Sequence, residues 1–272
     1  VIVSSPRKQS RVANKQVDRR IPVLLLLQSV SEKKQQWLDA FLAAMQNHAT
    51  VEVLIANRSL ADLQDRLERK ANRYRYCIVW LEVAPNALFY QWVRQTQLKE
   101  KLVMVQNFEQ PDTGDVFAQL CCAEKRGFAA GLKKLTGRLK TYHSVIFLQT
   151  NGCETDNELM TCLQEFCAHH QLSFSSCSIR SRGVHPGDVF FCSTEAELVA
   201  LVKEIDQAGL RMGEDVGLVA LFETPLMRFL SNGITTVSAD YQTAGEDLVT
   251  NILNGKGQTL RVPFRTIFRA SL

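Results

Sequence analysis

The sequence is poor in the residues and spacings that most catalytic and metal-binding motifs require. It holds 5 histidines and 7 prolines in 272 residues. No Gly-x-Gly-x-x-Gly, Walker loop, Gly-x-Ser-x-Gly elbow, His-Glu-x-x-His or kinase signature occurs, which excludes the motif-bearing forms of dinucleotide, nucleotide, acyl-transfer and zinc-protease chemistry. His48, His143, His169, His170 and His185 fall at helix ends or in loops, where capping or solvated roles account for them. No catalytic residue is therefore assigned, and the chain reads as a non-enzyme. Among the 8 cysteines there is no Cys-x-x-Cys. Cys162, Cys167, His169 and His170 are close in sequence, but their spacing fits no finger or ribbon, so neither a metal nor another cofactor is expected. All eight, Cys77, Cys121, Cys122, Cys153, Cys162, Cys167, Cys177 and Cys192, sit mostly in apolar segments and read as reduced core thiols, which points to the cytoplasm. Long hydrophobic runs are missing as well. Val23 to Leu27 is far too short to span a bilayer, no cleavable leader precedes it, and no membrane partner is expected.

What charge there is lies unevenly. The net charge is +4, yet Arg7, Lys8, Arg11, Lys15, Arg19 and Arg20 crowd the start with only Asp18 against them. The remaining body is close to neutral. Residues 1–20 thus read as a basic linker, or a tail touching phosphate without sequence preference. The start at Val1 suggests a fragment whose upstream part is missing.

Beyond that leader, short buried strands alternate with amphipathic helices. Pro22 to Leu27 is a strand, and Ser31 can cap a helix whose Trp37, Leu38, Phe41, Leu42 and Met45 share one stripe. Val51 to Ala56 is the next strand, and Ser59-Leu-Ala-Asp62 has capping-box spacing for a helix with Leu60, Leu63 and Leu67 inward. Strands follow at Tyr76 to Val83 and Leu102 to Gln106, with helices over Asn86 to Lys99 and Glu124 to Arg138. A second series repeats the alternation: strand Ser144 to Gln149, helix Glu154 to His170, strand Phe174 to Ile179, strand Val189 to Cys192 and a helix from Thr194. The length suits one two-lobed unit, so the pattern implies two doubly wound α/β halves.

The last quarter is the most specific. Arg211-Met-Gly-Glu-Asp-Val-Gly-Leu-Val-Ala-Leu-Phe-Glu-Thr-Pro225 sets a turn, a uniformly apolar strand and a polar strand end in order. Pro225 then opens a short helix that Asn232-Gly233 closes, before strand Ile234 to Val237 and a helix from near Asp240 with an early Gly245. This order resembles the effector-binding domain of LacI/GalR-type repressors. With Gly187-Asp-Val-Phe-Phe-Cys-Ser-Thr-Glu195 and Arg73-Tyr-Arg-Tyr-Cys-Ile-Val-Trp80, it is similar to the sensor half of GntR-family regulators of the Bacteroidetes. The resemblance spans residues 21–270, loosest at the front.

It implies a periplasmic-binding-protein-like fold of type I: two doubly wound parallel-sheet lobes and a three-strand hinge. Residues 21–140 with 240–254 would form the N-terminal lobe, and 141–238 with 257–270 the C-terminal lobe. The crossings are expected near Leu139 to Tyr142, Thr235 to Ala239 and Asn254 to Gln258, and the lobes would close on a ligand between them. It further implies a homodimer, through helices such as Ser31 to Gln46 and Ala87 to Lys99, and operator DNA contacted by a winged-helix domain upstream of this chain.

Ligands of such folds bind at the carboxyl ends of strands. The candidates there are Gln28, Ser29, Glu82, Gln106 and Asn107 from the first half, and Gln149, Thr150, Asn151, Ser193, Phe222 and Glu223 from the second. Amides and carboxylates at strand ends suit hydroxyl recognition, so the effector is read as a small molecule of carbohydrate type. In the family, the positions matching Ser193 and Phe222 carry hydrogen-bonding Asn and Asp. Here Phe222 either stacks on a sugar face or fills the pocket, and Thr194 doubles as a helix cap over Glu197. Arg180 and Arg182 offer forks for a uronate or sugar phosphate, or else are solvated loop residues. Trp80 reads as core, and Trp92 as core or dimer surface. Two other readings compete with a transcriptional sensor: an exported sugar-binding protein of a transporter, and an α/β enzyme.

Overall fold

The computed structural model describes residues 20–56, 59–106, 114–122, 125–148, 154–178 and 182–272. Two sheets carry the fold. The first contains β1 (Ile21–Leu27), β2 (Ala49–Ile55), β3 (Tyr76–Leu81), β4 (Leu102–Gln106), β5 (Ala118–Cys121) and β11 (Thr259–Arg261), in the order β11-β5-β4-β3-β1-β2. The second contains β6 (Ser144–Leu148), β7 (Ser173–Cys177), β8 (Asp188–Cys192), β9 (Gly217–Ala220), β10 (Thr235–Ala239) and β12 (Phe264–Ile267), in the order β12-β10-β9-β8-β6-β7. All described pairings are parallel except β10 with β12.

Parallel strands need cover on both faces, which is why β3, β4 and β8 are apolar along nearly their whole length and wholly buried. On one face of the first sheet lie α1 (Glu32–Met45) and α7 (Tyr241–Leu253), enclosing Trp37, Phe41, Trp80, Tyr241 and Leu248; on the other lie α2 (Leu60–Lys70) and α3 (Ala87–Gln95), enclosing Leu63, Leu67, Phe89 and Val93. The second sheet is covered by α4 (Lys125–Leu139) and α5 (Glu154–His170) on one face and α6 (Glu195–Gln207) on the other.

The lobe assignment of α4 differs from expectation. Its Phe128, Leu132, Leu135 and Leu139 pack with Phe147, Val189, Phe191 and Val237 of the second sheet, so this helix belongs to the second lobe. Its apolar stripe fits either sheet by period alone; complementarity decides. Gly131 is the close point, for a Cβ there would stand 2.4 Å from Val237 Cγ1. β11 likewise joins the first sheet and β12 the second. The chain therefore passes between lobes between Cys121 and Lys125, between Ala239 and Tyr241, and between Arg261 and Phe264. Backbone bonds tie the crossings together: Val262 N donates to Cys121 O at 3.0 Å, and Asp240 N to Pro263 O at 2.7 Å.

Local signals were mostly met. Ser31 accepts from Lys34 N, Asn86 from Phe89 N and Asp240 from Thr243 N, each starting its helix. Thr194 and Glu197 form a reciprocal capping box. The box expected at Ser59 does not form: Ser59 makes no side-chain cap, and Asp62 instead binds Arg66 one turn on at 2.9 Å. The helix expected over Asn86 to Lys99 closes at Gln95, where Thr96 Oγ1 turns back onto Trp92 O at 2.9 Å.

Candidate functional site

The interlobe space is bordered in the first lobe by the ends of β1, β3 and β4. Gln28 follows β1 and is buried; its Oε1 accepts from the Glu82 backbone N at 2.7 Å, so the two strand ends are stitched together. Ser29 hydroxyl donates to Glu82 Oε1. Both groups meet a residue that sequence reasoning passed over. Lys34, in the first turn of α1, is buried and gives its ammonium to Ser29 Oγ at 2.6 Å, to Ser29 O at 3.4 Å and to Glu82 Oε1. The same ammonium lies 5.5 Å from the centre of the Trp80 ring. A charge survives burial here because a carboxylate, a hydroxyl, a carbonyl and a π-face all receive it. The signal was present: Lys34 stands three residues before Trp37 and seven before Phe41, on the inward stripe of the helix.

Gln106 ends β4 beside Leu81, is 1 % exposed, and its Oε1 has no partner. Trp80 and Trp37 are core residues in edge contact at 5.2 Å, and each indole N–H lacks an acceptor. Trp92 is half-buried and donates to Glu68 at 2.6 Å. Asn107, Gln149, Thr150, Asn151 and Arg180 lie outside the described residues.

In the second lobe, Ser193 and Thr194 follow β8. Their backbone N–H groups both point to Glu197 Oε2, at 2.9 and 3.3 Å, which commits this strand end to starting α6. Cys192 just before them is buried, and burial, then the Glu197 charge, pushes its thiol up. Phe222 packs into the core with Leu148, Cys192, Leu198 and Met227, filling space under the turn. Glu223 is gripped by Arg269, Nη2 to Oε1 at 2.6 Å and Nη1 to Oε2 at 3.0 Å, while Thr236 Oγ1 donates to Oε2 at 2.6 Å. Its carbonyl receives Gln36 Nε2 of α1 at 3.0 Å, a hydrogen bond across the interlobe space. Arg182 is engaged elsewhere, by Asp188 at 2.8 Å and Ser175 at 2.9 Å; Asp188 begins β8, at the end of the sheet away from the cleft.

Beside this bridge a cavity of about 820 Å³ opens between the lobes, lined by Gln36, Ala40, Thr224, Arg228, Tyr241 and Arg265 among others. Arg265 is paired with Asp240, the cap of α7. No group of metal-ligating side chains is found among the described residues. Nor, among them, is any helix long and apolar enough to cross a membrane.

Two open-edged α/β lobes, three adjacent crossings and a polar space at the strand ends define the periplasmic-binding-protein-like fold, in the form seen in the effector-binding domains of LacI-type repressors. Residues 140–272 match the family model described as a periplasmic binding protein-like domain. Among solved structures, the chain is similar to the trehalose repressor from Escherichia coli, with 15% identity, a TM-score of 0.69, and 91% of this chain and 99% of that one covered. A Lac repressor dimer bound to operator and an anti-inducer gives 14% identity and a TM-score of 0.70, covering 98% and 99%. A LacI family transcriptional regulator from Silicibacter pomeroyi gives 15% and 0.66, covering 92% and 98%. No curated protein is matched in sequence.

Proposed function

We propose that this chain is the ligand-sensing domain of a bacterial transcription regulator, binding a small carbohydrate-like molecule between its lobes. The observation that carries the reading is the hydrogen bond from Gln36 of the first lobe to the Glu223 carbonyl of the second, beside crossings that let the lobes rotate. A ligand favouring one lobe arrangement shifts the population, and a surface that reads the arrangement passes the change on. Similarity in fold to repressors, whose solved forms include an operator-bound dimer, supports the same output here. DNA would be contacted by an upstream winged-helix domain of the GntR type, as the sequence resemblance implies.

The contacts proposed for the effector are Gln28, Ser29, Glu82 and Gln106, with Asn107, Gln149, Asn151 and Arg180. Ser193 and Glu223 act chiefly through backbone and hinge, and Phe222 through packing. A homodimer is proposed on the face where α1 and the one-turn helix Pro225–Arg228 border the same cavity. Leu226, 52 % exposed, lies in that one-turn helix, and Phe229, 80 % exposed, follows it directly. Large apolar groups left in water ask for cover.

A thermal-shift screen against sugars and sugar derivatives tests the sensing role. A compound that binds only the folded state at a hundred times its Kd adds about 2.7 kcal/mol of stability. No stabilising compound among carbohydrates would count against the proposal.

A further inference from the structure

We propose that the cavity beside the Gln36 to Glu223 bridge is a second ligand site, and that it takes a zwitterion of the α-amino acid or short-peptide class. The site is distinct from the strand ends assigned to the effector, and it stands whether or not that effector is a carbohydrate. Of the described strand-end candidates only Glu223 lines this cavity, and its carboxylate is already held by Arg269 and Thr236. Asp240, also on the wall, pairs with Arg265, which donates to Thr243 as well. Three lining groups stay unneutralised. The Asp39 carboxylate receives only the Gln35 amide, at 2.7 Å, and that of Glu246 only the Gln242 amide, at 3.4 Å. Arg228 has no hydrogen-bond or ion-pair partner among the described residues.

The unspent charges are sorted by lobe. Asp39 is on α1 and Glu246 on α7, and these helices cross where a Cβ on Gly245 would stand 3.2 Å from Ala40 Cβ. Each carboxylate is one residue from that contact, so like charges flank it, a repulsion that a cation between them relieves. Arg228 ends the one-turn helix Pro225–Arg228 of the second lobe, across the cavity, and forms no ion pair with either. The same wall holds Thr224, whose hydroxyl is buried, caps nothing and has no partner. An ammonium and a carboxylate on one small molecule answer both walls at once: the ammonium goes to Asp39 and Glu246, the carboxylate to the planar fork of Arg228. A ligand of one sign leaves a wall unpaired, and an uncharged one leaves both. Ala40, Ala43, Pro225 and Ile267 offer apolar wall to a side chain, and the volume of about 820 Å³ falls within the roughly 300–1,000 Å³ of small-molecule sites. Leu226 and Phe229, the apolar groups of the proposed dimer face, are not among the described lining residues, so that face adjoins the cavity without filling it.

The test titrates the intact chain with the protein α-amino acids and a set of dipeptides, read by Tm and by calorimetry. At least one zwitterion should raise Tm by roughly 5 °C or more at a hundred times its Kd. Its N-acetyl and amide forms, each lacking one of the two charges, should bind about tenfold more weakly or worse, the loss of one charge-assisted hydrogen bond. In Arg228→Gln the zwitterion and its amide should bind alike; with Asp39→Asn and Glu246→Gln together, the zwitterion and its N-acetyl form should. All three positions are exposed, so the variants should keep the wild-type urea midpoint. Glu82→Gln, at the effector's strand ends, should leave the affinity unchanged. A panel with no stabilising member overturns the inference, as does a zwitterion whose binding ignores both sets of substitutions. A ligand lost in Glu82→Gln but kept in Arg228→Gln sits at the strand ends and overturns it too. The carbohydrate screen reads the effector site by itself, so either reading can fail without the other.

Discussion

Glu223 and Arg269 form a two-pronged ion pair at 2.6 and 3.0 Å, joining the turn after β9 to the segment after β12. Arg269 Nη1 also donates to Ile234 O at 2.6 Å, and its side chain is 11 % exposed. Removing the cation leaves a partly buried carboxylate with Thr236 alone. Arg269→Met should cost about 2–4 kcal/mol in urea unfolding, with part of the loss recovered when Glu223→Gln is added. Full additivity of the two changes would show that the pair is not coupled.

The Gln36 to Glu223 bridge is a single neutral hydrogen bond and is worth about 1 kcal/mol or less in stability. Its location between lobes gives it leverage on shape. Gln36→Leu is expected to unfold near the wild-type urea midpoint but to show a larger radius of gyration in solution scattering. An unchanged radius would remove Gln36 from the interlobe catch.

Phe229 should anchor the dimer. Phe229→Glu places a charge on the exposed apolar surface of the proposed interface, and if the homodimer proposed above forms there, sedimentation velocity should show a shift from dimer for the wild type to monomer for the variant. A dimer that persists would move the interface to another face.

Gly245 lies where α7 crosses α1, and a Cβ there would stand 2.8 Å from Trp37 O and 3.1 Å from Phe41 N. Alanine favours helices over glycine by about 1 kcal/mol, yet backbone atoms cannot yield as a side chain can. Gly245→Ala should therefore destabilise by about 1–3 kcal/mol. A stabilised variant would mean that the helices separate easily.

Alkali should weaken the fold through buried protonated groups. Burial pushes the Cys77 thiol up to about 11 and that of Cys167 to about 12, from an ordinary 9.0. Burial, then the hydrogen bond to Glu52, pushes Tyr74 up to about 12 from 10.0. Each folded value lies above the unfolded one, so the stabilisation is complete below the ordinary value and disappears as pH rises through the folded value. Urea midpoints should be flat up to about pH 8.5 and fall steadily between about pH 9 and 12. A flat profile to pH 11 would contradict it.

Much of this was legible in the amino-acid order. The uniformly apolar runs ending in Leu27, Leu81 and Gln106 are strands because parallel sheets bury both faces, and Ser31, Thr194 and Asp240 cap helices because their side chains match orphan N–H groups. The turn at Gly213, with φ +84, is likewise a local fact, since only glycine adopts it freely. β5, β11 and β12 were not legible, being three or four residues long with no period to detect.

The sequence by itself determined the class of fold, two doubly wound lobes, because hydrophobic period and turn chemistry are local. Tertiary structure alone decided that α4 packs on the second sheet, that Glu82 belongs to Lys34 and Glu223 to Arg269, and that Phe222 fills core. Those outcomes depend on which side chains come within a few ångströms across tens to hundreds of residues of sequence. A charge or an apolar stripe announces that it needs a partner, but only the folded chain chooses which one.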